Sequence, residues 1–147
     1  MVRSIIAVIV SYAIMFALIF LAFTAEYMLL GPNHAFKPGS YVSSNRWIAI
    51  AFAVNFVVAV IGGFICAAIA KGGKAPIALA IVVFALGLVF AIPAMMVPRM
   101  NEVRPRGALP MFEAMKKAQE PRWVPFTFPF VGAIGVLIGG KLKRRGQ

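Results

Sequence analysis

Residues 75–97 read APIALAIVVFALGLVFAIPAMMV, and none of these 23 side chains is charged. A helix rises about 1.5 Å per residue, so a run of this length reaches about 35 Å. The hydrocarbon core of a bilayer is about 30 Å thick. The run therefore predicts a membrane-crossing helix. Pro76 lies in its first turn, where a missing N–H costs little, and Pro93 is expected to kink its last third.

Three more apolar runs of similar character flank this one, at residues 4–30, 47–70 and 123–140. Glycines, prolines or lysines separate the four runs, as helix ends require. Four crossings place both chain ends on one side of the membrane, called the terminal side below, and the two long loops on the other, the loop side. The sequence predicts an all-α membrane protein, a four-helix transmembrane bundle that forms a single domain over residues 1–147.

The composition also indicates that lipid is the main solvent of this chain. Of its 147 residues, 62% are hydrophobic and 13% are charged, and the mean hydropathy is +0.91. A soluble domain is nearer half apolar and a quarter charged. These values exclude a soluble enzyme, a disordered tail and a disulfide-framed secreted module. The net charge of +11 does not indicate a nucleic-acid partner, because the basic residues flank apolar runs instead of forming one stripe.

The first run has a competing interpretation as a secretory signal peptide, because Arg3 precedes it. The run is too long for the apolar region of a signal peptide, and Phe23-Thr24-Ala25 is a poor cleavage site. We therefore expect a retained helix that either tilts or extends its last turn beyond the membrane.

The second long loop holds a short helical pattern at residues 110–119. Three apolar side chains share one face of it: Met111, Phe112 and Met115. Glu113 and Lys117 have the i, i+4 spacing of an ion pair. The pattern predicts an amphipathic helix, which either lies on the membrane surface or forms a solvated helical turn.

Basic residues are denser on the terminal side than on the loop side. The terminal side has seven Lys and Arg within 14 residues, and the loop side has eight within 40 residues. Because positive charge concentrates in cytoplasmic segments, we expect both termini in the cytoplasm. Compactness and the absence of targeting signals favour a bacterial inner membrane.

The two halves of the sequence resemble each other. Arg46-Trp47 opens the second run and Arg122-Trp123 opens the fourth, and a glycine pair begins 15 residues after the first tryptophan and 16 after the second. This predicts a duplicated helical hairpin with approximate two-fold symmetry about the membrane normal. The alternative is chance, since unrelated membrane hairpins share such features. We interpret Arg46, Trp47, Arg122 and Trp123 as interface anchors.

Glycines occupy helix-packing positions in the last three runs: Gly62, Gly63, Gly87, Gly132, Gly135 and Gly139. In lipid, small residues let helix backbones approach and gain dispersion contacts. Packing within the bundle is the preferred interpretation, and contact of the fourth run with another protein is the alternative. With 18 residues the fourth run is the shortest, and Gly140 lies at its edge.

Polar side chains within the runs are candidates for a site in the membrane: Glu26, Asn55 and Thr127. We expect Asn55 to face the bundle and to hydrogen-bond between helices, with a ligand contact as the alternative. Glu26 lies near the end of its run, so we expect an interfacial ion pair with Arg46, Arg99 or Arg122. Proton relay or cation binding is the alternative for Glu26.

The fourth run opens with the sequence Pro125-Phe126-Thr127-Phe128-Pro129. Each proline frees a carbonyl one turn earlier, and Thr127, a water or a polar group of the first helix would satisfy it. Broken helices mark substrate sites in transporters. Prolines near a helix start cost little, however, so a simple bent start is the preferred interpretation.

Motifs for catalysis and for cofactors are absent from the sequence. One histidine, His34, and one cysteine, Cys66, cannot supply paired haem ligands or a zinc cluster. No Ser/His arrangement lies within one membrane layer, and residues 71–74 form a tight turn and not a phosphate-binding loop. We expect no cofactor, no metal and no enzymatic activity.

Two functions remain. The first is a non-catalytic accessory or scaffold subunit that packs against membrane lipids or other membrane proteins, or that self-associates. Few ionisable groups and abundant small-residue surfaces motivate it. The second is a small oligomeric transporter or channel, with Glu26, Asn55 and residues 125–129 lining a pathway. A water-accessible cavity that reaches Glu26 or Asn55 would favour the second.

Overall fold

The computed structural model describes residues 2–71, 74–96, 98–99, 101–107 and 109–145, and these ranges hold helices and no β-strand. The long helices are α1 (Val2–Leu30), α3 (Asn45–Ala70), α4 (Ala75–Met96) and α6 (Trp123–Arg145). Two short helices, α2 (Pro32–Ala35) and α5 (Met111–Lys117), lie between them. Each long helix is long and apolar enough to cross a membrane. The predicted all-α four-helix bundle is confirmed, and the chain is an integral membrane protein.

The start of α3 is set by a side-chain cap. The hydroxyl of Ser44 accepts a hydrogen bond from the Trp47 N–H at 3.1 Å, so the helix begins at Asn45, two residues before the predicted start. At the other end Lys71 adopts a left-handed backbone conformation, with φ 51°, and its N–H donates to the Ala67 carbonyl. This cap ends α3 at Ala70, as predicted.

The prediction that the last helix ends at Gly140 was wrong. The helix continues through the basic residues to Arg145, so it has 23 residues against the 22 of α4 and is not the shortest. Lys143, Arg144 and Arg145 lie in its last turn, where positive charge interacts favourably with the helix dipole. The hydrophobic run ends at Gly140, but the helical backbone hydrogen bonds continue to the end of α6 at Arg145.

The closest approach in the bundle is between α3 and α6. A Cβ built on Gly63 would overlap the Val136 carbonyl, and one built on Gly139 would overlap the Val60 carbonyl. A Cβ at Gly135 would lie 2.7 Å from the Ala59 Cβ. These glycines therefore bring two helix backbones into direct van der Waals contact.

The remaining glycines of the bundle also lie at helix contacts. Gly62 faces the Met15 side chain of α1, and a Cβ at Gly87 would lie 2.7 Å from the Pro129 ring. A Cβ at Gly132 would lie 3.0 Å from a methyl group of Val83. Gly140 is also packed, because its Cβ would lie 2.6 Å from that of Pro76. Gly140 lies at the edge of the hydrophobic run, yet it is packed against the start of α4.

The helix α1 is the most loosely packed of the long helices. It contacts α3 and, to a lesser extent, α4, and only Ala7, Ser11, Met15 and Tyr27 are buried along its length. The helix α4 packs on both α6 and α3, whereas α1 makes no comparable contact with α6. If a two-fold axis exchanged the α1–α3 hairpin with the α4–α6 hairpin, the contact of α4 with α3 would require an equivalent contact of α1 with α6. The packing therefore departs from the symmetry that a duplication predicts.

The two loops form an ordered layer on the loop side. The Tyr27 hydroxyl donates to the Leu109 carbonyl at 2.9 Å, and the Arg104 guanidinium donates to the Asn33 side chain at 2.9 Å. Arg104 is buried and lies over the Phe36 ring, 5.8 Å from its centroid. These contacts join the end of α1 and residues 31–44 to residues 101–107 and 109–119. Periodicity alone did not predict them.

The short helix α5 packs against this layer through Ala114, while Phe112 and Met115 remain exposed. The predicted pairing of Lys117 with Glu113 was wrong, because Lys117 instead donates to Glu102 at 2.9 Å. The loop brings Glu102 to the lysine, and a tertiary contact replaces the local one. That hydrogen bond raises the pKa of the Lys117 ammonium group.

Candidate functional site

A groove of about 340 Å³ lies between α1 and α4, in the half of the bundle nearest the loop side. Phe16 and Ile19 of α1 form one wall, and Ala91 and Ala94 of α4 form the other. The helices α1 and α4 make few contacts with each other, which leaves the groove open between them. The outer faces of both helices are apolar and exposed. We call it the α1–α4 groove.

Asn55 forms part of the floor of the α1–α4 groove, together with Phe128 and Pro129. Its amide group donates to the Phe128 carbonyl at 3.3 Å and so bridges α3 and α6. The side chain is half-buried. Asn55 thus bridges two helices, as expected, and it also borders the groove. Its alternative role as a ligand contact stays a prediction.

The prolines of α6 do not break the helix. The helix runs without interruption from Trp123 to Arg145. The Val124 N–H donates to the Pro121 carbonyl at 2.9 Å, and this tighter turn satisfies the acceptor that Pro125 leaves free. The Thr127 hydroxyl donates to the Trp123 carbonyl of its own helix at 2.8 Å. Thr127 therefore supports the first turns of α6 and does not hold a freed proline carbonyl.

Glu26 does not form the expected interfacial ion pair. Both of its carboxylate oxygens are inaccessible to solvent and have no hydrogen-bond partner. Arg46, Arg99 and Arg122 are all exposed, and among the described residues none of them forms an ion pair with Glu26. Glu26 is also absent from the walls of the α1–α4 groove. The structure therefore does not bring Glu26 and Asn55 together.

A second apolar pocket of about 380 Å³ adjoins the groove beneath the loop layer. Aromatic side chains of α1 and Trp47 line it, and Met111 and Met115 of α5 close it from the loop side. It shares Phe16 and Ile19 with the α1–α4 groove. The apolar surface is therefore continuous from the middle of α1 to the loop layer.

The mouth of the α1–α4 groove is charged. A third pocket, of about 380 Å³, is lined by Arg99, Lys116 and Arg122, and it shares Ala94 and Glu120 with the groove. We call these three basic residues and Glu120 the charged mouth. An apolar cleft that ends in a cluster of charges has the two-part character of an amphiphile binding site.

Glu120 borders all three pockets. Part of its surface is exposed, yet the protein around its carboxyl group removes enough water to raise the pKa of that group. Sequence reasoning missed Glu120, Arg99 and Lys116 as site residues. The only available signal was the charged segment Glu120-Pro121-Arg122 just before the fourth run.

The two tryptophans lie at the loop-side starts of α3 and α6. Trp47 packs between aromatic rings, 5.7 Å from Phe23 and 6.4 Å from Tyr27. Trp123 stacks on Phe52 at 6.0 Å and remains 58% exposed. These positions suit the headgroup level of a bilayer, where amphipathic rings are enriched.

Within the described ranges, no three His, Cys, Asp or Glu side chains converge into a group that could hold a metal ion. No family model, curated protein or solved structure matches the chain. Function is therefore inferred from the groove, the charged mouth and the exposed helix faces.

Proposed function

We propose that this protein is a non-catalytic accessory or scaffold protein that packs against membrane lipids or other membrane proteins. One observation carries the proposal, namely the difference between α1 and the other long helices. The helices α3, α4 and α6 approach one another at several glycines, whereas α1 meets a single one of the described glycines, Gly62, through its Met15 side chain. The helix α1 also buries few residues and presents a broad apolar face. Such a face supports a role in contact with other membrane components.

The exposed face of α1 extends along the whole helix. Ile9, Phe16 and Leu21 are each more than half exposed, and Met28 and Leu29 continue the surface to the loop side. From residue 4 to residue 25, α1 carries no acidic or basic side chain. Burying such a face against a protein gains little hydrophobic free energy, because lipid tails are equally apolar. The shape of the surface therefore decides what packs there.

Site-specific photo-crosslinking in native membranes tests this proposal. A photoreactive phenylalanine analogue at Leu21 probes α1, and the same analogue at Leu137 provides a matched control on the exposed face of α6. We expect a discrete protein adduct, or self-adduct, at Leu21 and none at Leu137. Equal adduct patterns at both positions would contradict a specific α1 surface.

A small transporter or channel is the second candidate, and one observation favours it. Asn55 lies at the floor of a groove whose mouth carries charged residues. Transport would require water or a solute to reach Asn55 from that mouth. The burial of Glu26 away from the groove removes one residue from the pathway proposed for transport.

We propose a bacterial inner-membrane location with both termini in the cytoplasm. The density of basic residues on the terminal side supports this orientation. In a Cys66→Ala background, Arg145→Cys should be protected from impermeant thiol reagents in intact cells, and Gly107→Cys should be labelled. The reverse pattern would invert the orientation.

A further inference from the structure

We propose that the α1–α4 groove and its charged mouth bind one phospholipid whose headgroup carries both a phosphate and a primary amine, as in phosphatidylethanolamine. One acyl chain would lie in the groove, and the headgroup would lie at the mouth. This inference rests on the proposed function, because it names the class of lipid that the exposed surface of α1 and α4 holds.

The groove suits an acyl chain in both shape and chemistry. Its volume of about 340 Å³ lies within the range of about 300–1,000 Å³ that is usual for small-molecule sites. The alanines Ala91 and Ala94 leave space on the α4 wall, and Phe16 and Ile19 supply apolar contact from α1. Because both flanking helices face lipid, a chain enters from the bilayer without crossing a polar barrier.

The basic residues of the charged mouth suit the phosphate. Arg99, Lys116 and Arg122 line one pocket at the loop-side end of the groove. Among the described residues, none of the three forms an ion pair with a protein carboxylate. Guanidinium groups bind phosphate oxygens through paired hydrogen bonds, and lysine adds a mobile positive charge. Their position at the membrane boundary is where a lipid phosphate lies.

Glu120 distinguishes an amine-bearing headgroup from the other common ones. Its carboxylate borders the groove and the charged mouth, and it makes no hydrogen bond or ion pair with the described residues. A lipid with phosphate alone would place its negative charge beside this carboxylate. A choline headgroup has no N–H to donate. A primary ammonium group donates to Glu120 while the phosphate contacts the basic residues.

Native mass spectrometry of the full chain in detergent tests the inference. The protein is offered an equal mixture of phosphatidylethanolamine, phosphatidylglycerol and phosphatidylcholine with identical acyl chains, and the retained lipids are counted. We expect phosphatidylethanolamine to be retained in preference to both others. Glycerophosphoethanolamine, which has the same headgroup and no acyl chains, should not bind.

Substitutions assign the preference to the proposed residues. Glu120→Gln should remove the preference for phosphatidylethanolamine over phosphatidylglycerol, and Arg122→Gln should lower retention of both by about fivefold, the effect of one charge near the lipid surface. Arg106→Gln, on the same side but outside the charged mouth, is the control. Ala94→Phe should fill the groove and reduce retention of all three lipids, whereas Ala85→Phe, exposed elsewhere on α4, should not.

The inference is overturned if the unmodified protein retains phosphatidylglycerol as well as it retains phosphatidylethanolamine, or if Glu120→Gln leaves the ratio unchanged. Glu120→Gln keeps the side-chain size, so it remains informative if the bulky variants fail to fold. Failure here with an intact Leu21 crosslink would reject the lipid assignment alone. Loss of that crosslink with the lipid preference intact would reject the accessory role alone.

Discussion

The contact between α3 and α6 is tested most sharply by Gly135→Ala. The new Cβ would lie 2.7 Å from the Ala59 Cβ and 3.0 Å from the Phe56 carbonyl oxygen. Carbon atoms pack best at about 3.5–4.0 Å, so the two helices must separate by about 1 Å. One of the two contacts is backbone, which cannot rotate away. The substitution therefore strains the contact between α3 and α6 at Gly135.

The magnitude of this effect is a difference between two terms. Overpacking in a well-packed core costs about 1–3 kcal/mol, and replacing a helical glycine by alanine gains about 0.5–1 kcal/mol. The difference spans about 0–2.5 kcal/mol, so we expect a net loss of about 1 kcal/mol in the free energy of unfolding. For a chain of this size that lowers the thermal midpoint by about 2–4 °C.

Gly132→Ala is the matched control, because it lies one turn earlier on the same helix. Its Cβ would lie 3.0 Å from a methyl group of Val83 and 3.9 Å from the Asn55 amide. A side chain can shift by a few tenths of an ångström, so the propensity gain should offset most of the cost. Both midpoints are measured in the same detergent. Equal midpoints for the two variants would refute the view that α3 and α6 are held together by close backbone approach at Gly135.

Three further changes have expected outcomes. Asn55→Leu should lower the free energy of unfolding by about 1 kcal/mol or less, because the hydrogen bond to the Phe128 carbonyl is long at 3.3 Å. Chemical denaturation measures this free energy, and a loss of about 3 kcal/mol or more would be inconsistent with one weak interhelical bond. Arg104→Ala removes the hydrogen bond to Asn33 and the contact with the Phe36 ring. Backbone hydrogen exchange should therefore accelerate over residues 33–43. Unchanged protection of these residues would show that Arg104 does not hold the loop layer together. Burial raises the pKa of the Glu120 carboxyl, so its protonated form favours the folded state and the thermal midpoint in lipid-free detergent should fall as the pH rises from about 4 through that raised pKa. The charged groups that share a pocket with Glu120 are Arg99, Lys116 and Arg122. Glu120→Gln should remove this part of the pH dependence, and an identical slope in both proteins would refute the assignment.

The membrane-spanning helices could be predicted because lipid leaves the backbone few alternatives. Without water to bond, an apolar run such as residues 75–97 must satisfy its backbone internally as a helix. The helix ends were less predictable where the apolar run and the hydrogen bonding stop at different residues, as at Gly140 and Arg145. Hydropathy indicates where the apolar, membrane-crossing part of α6 ends. The favourable interaction of the helix dipole with the basic side chains lets the helix itself continue further.

The candidate site was harder to predict because it is assembled from distant segments. The charged mouth combines Arg99, which follows α4, with Lys116 of α5 and with Glu120 and Arg122, which precede α6. Local spacing carries no information about this convergence. The same reason explains why Lys117 pairs with Glu102, because that contact depends on how the second loop folds.

The environment of the α1–α4 groove at Asn55 decides between a lipid-packing accessory protein and a transporter. In a Cys66→Ala background, Asn55→Cys and Val83→Cys place single thiols in the groove, and Asn101→Cys serves as an exposed loop control. The variants are reconstituted in liposomes and treated on each side with a small charged methanethiosulfonate. The accessory proposal predicts that the loop thiol reacts and that both groove thiols stay unmodified, because acyl chains and not water fill the groove. Rapid modification of the groove thiols would reveal a water pathway to Asn55 and would contradict the proposal.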